Sequence, residues 1–295
     1  GSINTASLTA TNQAAQTLDT PSETITILPS PTYYFTVNTP EIFINPTPAP
    51  DLADVQVRMV GNSGFLVTIG EYKILIDGLF HGFNGGCALP PAIYNVVVNG
   101  EPPFDDIDLI LATHDHSDHF DPEPVLLYMQ NNPTVIFAST AQVTSQLPGL
   151  GDRVITLDAT EGNPVQMDID GIHVQAVFLT HGTVPAGVTE TINNGYVVTV
   201  NEISFFHTGD IDLEIIPESV FQSYGFPEME LDFAFIPHYF LEIPDYASLI
   251  ENTIHSRYII ASHYLCSISD PHQRLIERYY PGTIFFTHGL ETWDG

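Results

Sequence analysis

The 295 residues predict an α/β protein built as a layered sandwich. Short apolar runs of strand character are interspersed with helical pieces along most of the chain, the pattern of a layered α/β architecture. Apolar residues make up 43% of the chain, enough for a sizeable core. The third observation is local. The run Ile107-Asp108-Leu109-Ile110-Leu111-Ala112 ends directly on Thr113-His114-Asp115-His116-Ser117-Asp118-His119, and reads as a buried strand delivering polar side chains from its carboxyl end.

Residues 1–23 are rich in Ser, Thr, Asn, Gln and Ala, lack periodicity, and read as a flexible tail or linker. Residues 24–54 are proline-rich, with β-prone pieces such as Tyr33-Tyr34-Phe35-Thr36-Val37, and predict an extended arm or an added edge strand. The main body is expected over 55–295. It opens with strands at 55–60, 64–69 and 72–77 joined by Gly-containing turns. A helix is predicted over 122–131, with Asp121 as its N-cap and Pro122 at its first position. Strands are predicted at 134–138, 154–157, 164–169, 172–179, 196–200 and 203–207, and later at 231–236, 258–261 and 283–287. Helices are expected near 217–224, 246–254 and 271–280. No repeat of solenoid period is present.

The charge balance limits the partners. There are 36 Asp and Glu against 6 Lys and Arg, for a formal charge of −30. Such a field repels nucleic-acid backbones and anionic lipid surfaces and attracts cations, so no nucleic-acid partner is expected. An acidic surface selected for solubility or for a salty medium accounts for the same charge. Arg58, Lys73, Arg153, Arg257, Arg274 and Arg278 form no cluster. Phosphate dianions are normally held by Arg or Lys forks, so their scarcity favours a neutral small-molecule substrate. No apolar run reaches the ~18 residues of a membrane span. Gly1-Ser2 reads as a cloning remnant behind which a targeting segment was lost. With the polar tail, this leads us to expect an exported protein, periplasmic or extracellular, lipid-anchored in its untrimmed form.

Three of the twelve histidines fall within six residues, with acids beside them. Alternate residues of a strand face one side, so His114 and His116 are placed to meet one cation. Asp118 and His119, where the chain turns toward the next helix, face a neighbouring position. Imidazole and carboxylate without thiolate suit zinc, and also iron or manganese. A merely polar, His-rich loop would lack the preceding apolar strand. Further ligands must come from other strand ends, and the candidates are His181, His207, Asp210, His238, His263 and His288.

The ordered set of the His-Asp-His-Ser-Asp-His run, then His181, then Thr208-Gly209-Asp210, then His263 resembles the metallo-β-lactamase superfamily, in its lactonase-like metal-dependent hydrolase branch. Ile74-Leu75-Ile76-Asp77-Gly78 and the segment 162–177 add to the likeness, which runs from about 55 to 288. The resemblance implies an αββα four-layer sandwich, with 55–295 as the catalytic domain and two divalent metal ions at one edge between the sheets. It implies His114, His116 and His181 on one cation, Asp118, His119 and His263 on the other, and Asp210 bridging them. Asp77 would stand behind the ligands and orient them. Zinc is the first expectation for the cofactors, with manganese or iron after it. The implied activity is a binuclear hydrolase in which water activated between the cations attacks an ester, lactone or amide. Asp118 would also orient the nucleophile or pass its proton to the leaving group. His238 is assigned a catalytic role, lining the pocket or donating to an oxyanion. His207 is expected to be packed or hydrogen-bonded, and His288 to sit at the rim. His81, His173, His255 and His272 read as ordinary surface or loop residues.

A phosphodiesterase of phospholipid type is the alternative on the same fold, and an iron-dependent oxidoreductase the alternative on the same ligands. A non-catalytic binding protein is the third class, against which the full ligand set speaks. No flavin-binding or rubredoxin-like segment is present, and no GxSxG elbow of a serine hydrolase. The loops at 78–103 and 237–247 are rich in Pro, Phe, Tyr and Leu and are expected to form an apolar lid. Convergence of the segments after Asp77 and His263 would bring Cys87 and Cys266 together as a disulfide bracing the site; two separate buried thiols are the alternative.

Overall fold

The computed structural model describes residues 16–19, 24–27, 51–82, 89–182, 190–214, 216–264 and 270–295. The chain divides into two compact units, Gly1–Ala49 and Pro50–Gly295. In the first, β1 (Gln16–Asp19) pairs antiparallel with β2 (Thr24–Ile27), so the pairing joins residues of the expected tail and arm. The second unit takes in residues before 55: Leu52 is buried, and its carbonyl accepts from the Val55 N–H at 2.8 Å.

Within the second unit, β3 (Val55–Gly61), β4 (Gly64–Ile69) and β5 (Tyr72–Ile76) form an antiparallel meander. Next come α1 (Pro91–Val98), β6 (Leu109–Leu111), α2 (Pro122–Asn131), β7 (Ile136–Ser139), α3 (Ala141–Thr144) and β8 (Val154–Thr156). A second meander consists of β9 (Val165–Ile169), β10 (Ile172–Phe178), β11 (Asn194–Val200) and β12 (Ile203–His207). After it lie α4 (Glu218–Ser223), β13 (Leu231–Pro237), α5 (His238–Leu241), α6 (Ala247–Thr253), β14 (Ser256–Ser262), α7 (Asp270–Tyr279) and β15 (Thr292–Asp294). One sheet has the order β15-β3-β4-β5-β6-β7-β8 and the other β14-β13-β12-β11-β10-β9.

The pleat explains the layers. Side chains alternate across a strand, so Phe65, Val67, Ile69, Ile74, Ile76, Leu109 and Leu111 meet Val174, Tyr196, Val198, Phe205 and Phe233 of the second sheet in one core. The opposite face of the first sheet carries Leu66, Leu75 and Ile110, packed on Val97 and Val98 of α1 and Val125, Tyr128 and Met129 of α2. Phe221 of α4, Ile250 of α6 and Ile276 of α7 bury against the second sheet's side. The result is the αββα sandwich. Asp121 caps α2 as the sequence predicts, its side chain accepting from the Glu123 N–H. No helix among the described residues is long and apolar enough to cross a membrane.

The departures from the sequence reading include helix α1, residues 283–287 and strand β15. Helix α1 lies inside the loop expected as a lid. Pro91 stands at its first turn, where a preset φ and a missing N–H are tolerated, and its buried valines make it a packing element. Residues 283–287 form no strand, and only Ile284 bridges to Ile260. Strand β15, three residues long, pairs with β3 at the sheet edge. Cys87 and Cys266 lie outside the described residues, and so does the bond expected between them.

Strands β5 to β8 run parallel, as do β12 to β14, while β10 shares the direction of β12 through two antiparallel steps. The carboxyl ends of β5, β6, β10, β12 and β14 therefore deliver Asp77, the 114–119 run, His181, Asp210 and His263 to one edge of the sandwich.

Candidate metal centre

Seven side chains assigned from the sequence meet at that edge. One ligand atom each from His114, His116, His181 and Asp210 lies within 4.8 Å of the others, and a second group of the same tightness holds Asp118, His119 and His263. Asp210 Oδ2 stands between the two groups, 3.3 Å from His181 Nε2, 3.2 Å from His263 Nε2 and 4.0 Å from His119 Nε2. Asp118 Oδ2 lies 3.8 Å from His119 Nε2 and 3.7 Å from His263 Nε2.

The nitrogens are presented with their lone pairs free. Asp77 Oδ2 accepts from Thr113 Oγ1 and from His119 Nδ1, both at 2.8 Å, and Asp77 Oδ1 accepts from the Thr113 N–H. Thr113 Oγ1, having given its proton to Asp77, accepts from His114 Nδ1 at 3.0 Å. This relay places a proton on Nδ1 of both rings and turns both Nε2 atoms toward the cluster. His116 Nε2 bonds Thr191 Oγ1 at 3.2 Å, which leaves Nδ1 to face the site. The buried Nε2 atoms of His114, His119, His181 and His263 have no hydrogen-bond partner. Unsatisfied buried nitrogens are costly in an apoprotein and ordinary in a ligand set. With two aspartates and, among the described residues, no thiolate beside them, they fit divalent cations of the zinc, iron or manganese kind.

Burial, helped by neighbouring imidazoles, holds the His114 pKa well below its ordinary value, so this ring is neutral and needs no proton displaced. For His119, burial opposes protonation, but the adjacent Asp77, then Asp210 and Asp118, carry its pKa from 6.5 up to about 9. A raised folded-state pKa contributes stability that is complete below 6.5 and lost as pH rises through about 9. The cation-free chain is expected to lose stability across that window. Zinc uptake at about pH 7.5 is expected to expel the proton. Calorimetric titration in buffers of different ionisation enthalpy measures the release. Uptake without proton release would count against His119 as a ligand.

Two further supports behind the ligands, Asn193 and Asn62, were not legible in the sequence. Asn193, fully buried, donates from Nδ2 to the Leu179 and Thr208 carbonyls and accepts the Asp210 N–H on Oδ1 at 3.2 Å. It thereby ties the strand end before His181 to the turn that carries Asp210. Asn62 does the same for the second group, donating to Asp118 Oδ2 at 3.1 Å while its carbonyl accepts the His263 N–H at 3.1 Å. Asn62, Asp77 and His263 all have positive φ, at 50°, 47° and 60°, an arrangement that concentrates at functional sites.

His207 is packed, as expected: it is buried, bonded through Nε2 to the Ser63 carbonyl at 2.9 Å, and accepts the Gly209 N–H on Nδ1. His288 is exposed beside Glu291. His238, given a catalytic role from the sequence, falls in a separate group with Glu242 and His272. Its Nδ1 faces Glu242 Oε1 at 2.8 Å, and it is not among the residues that line the cavity at the centre. Tyr239 reaches the site instead, its hydroxyl donating to Asp210 Oδ1 at 2.6 Å. That cavity, about 340 Å³, is lined by His116, Ser117, Asp118, Asp210 and His263.

The β-lactamase superfamily domain matches residues 56–229, more than half of the chain. The chain belongs to the metallo-β-lactamase superfamily. Its superfamily relatives include a UPF0173 metal-dependent hydrolase of Hyperthermus butylicus, 28% identical over 70% of this chain and 82% of that protein. Another, from Pyrococcus horikoshii, is 24% identical over 71% of this chain and 84% of its own length. The solved structure of Igni18, a metallo hydrolase of Ignicoccus hospitalis, superposes with a TM-score of 0.57 at 18% identity. It covers 81% of this chain and 97% of that one, and shows the shared superfamily fold.

Proposed function

We propose that the protein is a metal-dependent hydrolase that holds two divalent cations and cleaves an ester, lactone or amide bond in a neutral small molecule. The observation that carries this reading is the convergence of four buried, unpartnered imidazole nitrogens around Asp210 at the floor of a cavity whose lining, among the described residues, has no Lys or Arg. When bound, two such cations lower the pKa of water from ~15.7 toward ~7 and offset charge on the oxygen of a reacting carbonyl.

The remaining work falls to the chain's own groups. His114, His116 and His181 would hold one cation, Asp118, His119 and His263 the other, and Asp210, set between them, would reach both. Asp118 lines the cavity, so its carboxylate is placed to orient the attacking water and to carry the proton onward to the leaving group. The Tyr239 hydroxyl, on the far oxygen of Asp210, holds that carboxylate in one orientation. Burial and the nearby carboxylate raise the Tyr239 pKa, so the phenol stays a donor across the working pH range. Four basic residues are engaged away from the cavity: Arg58 on the Leu290 carbonyl, Lys73 on Asp105, Arg153 on the Met129 carbonyl and Arg257 on Asp232. This disfavours a phosphate dianion at the site.

The test is a hydrolysis screen of zinc- and manganese-loaded protein against esters, lactones, amides including β-lactams, and phosphodiesters, with metal analysis and an optical spectrum of the protein as purified. Turnover of an uncharged ester, lactone or amide that a chelator abolishes is expected. Turnover confined to phosphodiesters, or an iron chromophore with oxygen-dependent chemistry, would overturn the reading.

A further inference from the structure

A second cluster of ligating side chains lies outside the centre. Glu242 Oε1 is 2.8 Å from His238 Nδ1 and 2.6 Å from His272 Nδ1, and one ligand atom of each residue lies within 4.8 Å of the other two. His238 begins the single turn of α5, Glu242 closes it, and His272 stands on the first turn of α7. None of the three lines the cavity at the binuclear centre.

The arrangement is more than a surface ion pair. Glu242 and His238 are largely buried, with side-chain exposures of 17% and 23%, while His272 is half exposed at 51%. Two imidazoles crowd a single carboxylate oxygen from helices 30 residues apart in sequence. In the hydrogen-bonded alternative, both rings donate Nδ1–H to that oxygen.

We propose that His238, Glu242 and His272 form a third cation site, of the zinc class, that clamps α5 to α7. Two nitrogens and one carboxylate oxygen are three ligands of a tetrahedral zinc site, with the fourth position open to solvent, and imidazole disfavours magnesium and calcium as occupants. Exposed His272 supplies the entry path. The chain's net charge of −30 raises the local concentration of any cation. The clamp bears on the catalytic edge, since His238 is followed directly by Tyr239, whose hydroxyl is bonded to Asp210. The His238 ring also lies 5.4 Å from the ring of Tyr264, the neighbour of His263.

The test counts zinc per chain after saturation and exhaustive dialysis, in the intact protein and in His272→Ala, Glu242→Gln and His263→Ala variants. His272→Ala and Glu242→Gln are each expected to bind one zinc fewer than the intact chain. His263→Ala should lose zinc from the binuclear centre and keep this one, so a failure of the binuclear reading is told apart from a failure of this one. Because the count is a difference, it does not depend on how many ions the main centre holds. Glu242→Gln keeps the side-chain shape, and its melting curve, with that of His272→Ala, verifies folding. An unchanged zinc count in both folded variants, or no zinc left in folded His263→Ala, would overturn the third site.

Discussion

Replacing Asp210 by Asn is expected to cut kcat/KM for any substrate the protein hydrolyses by roughly 10³-fold or more, about 4 kcal/mol of transition-state stabilisation. The substitution keeps the size and shape of the side chain and removes its charge. Asp210 Oδ2 lies close to both ligand groups, 3.3 Å from His181 and 3.2 Å from His263. Burial works against ionisation of Asp210, but the imidazoles of His181 and His263 beside it outweigh burial and hold its pKa well below the ordinary carboxylate value. The native group is therefore an anion at every pH of interest. A neutral amide would balance the charge of the proposed cations less well, so bound metal should fall along with turnover. Metal analysis beside steady-state kinetics separates the two losses. A variant with its full complement of metal and undiminished turnover would show that Asp210 does not link the cations.

The centre was legible in the sequence to the extent that its parts are local. The proposed ligands lie at or a few residues past the ends of apolar runs of strand period, so the residue types and their places near strand ends could be read without coordinates. Convergence of those ends follows from strand direction, because β6, β10, β12 and β14 all deliver their carboxyl ends to one edge. The choice between His238 and Tyr239 was not local. The two are adjacent on one helical turn, where successive side chains diverge by about 100°, so only the docking of α5 decides which enters the site. The roles of Asn62 and Asn193 were likewise hidden. Each joins segments far apart in sequence, Asn62 reaching Asp118 and Asn193 reaching the Leu179 and Thr208 carbonyls, and an isolated Asn in a turn carries no mark of such a task. Helix α1 was hidden for another reason: its two opening prolines signal a loop when read singly, but a helix start when an apolar run follows.

Gly209→Ala is expected to lower stability by about 3 kcal/mol and to displace Asp210 as well. Gly209 has a φ of +62°, a conformation that costs an L-residue roughly 1–2 kcal/mol. A methyl group there would also come within 2.1 Å of Asn193 Oδ1 and 2.8 Å of Thr113 Cβ. Neither neighbour has room to retreat. Thr113 is held to Asp77 through both its N–H and its hydroxyl, and Asn193 is held to two carbonyls. Overpacking of this kind adds about 1–3 kcal/mol. The strain must resolve by moving the turn, and the turn carries Asp210, whose N–H rests on the same Asn193 oxygen. Melting temperature should drop by roughly 5–10 °C, and a variant still folded at 25 °C should bind metal more weakly than the intact chain, since displaced supports typically cost 10–100-fold in affinity. Thermal melts with and without zinc read both effects at once: a folded variant with native melting temperature and native zinc affinity would mean that the tight turn at 208–210 does not position the Asp210 carboxylate.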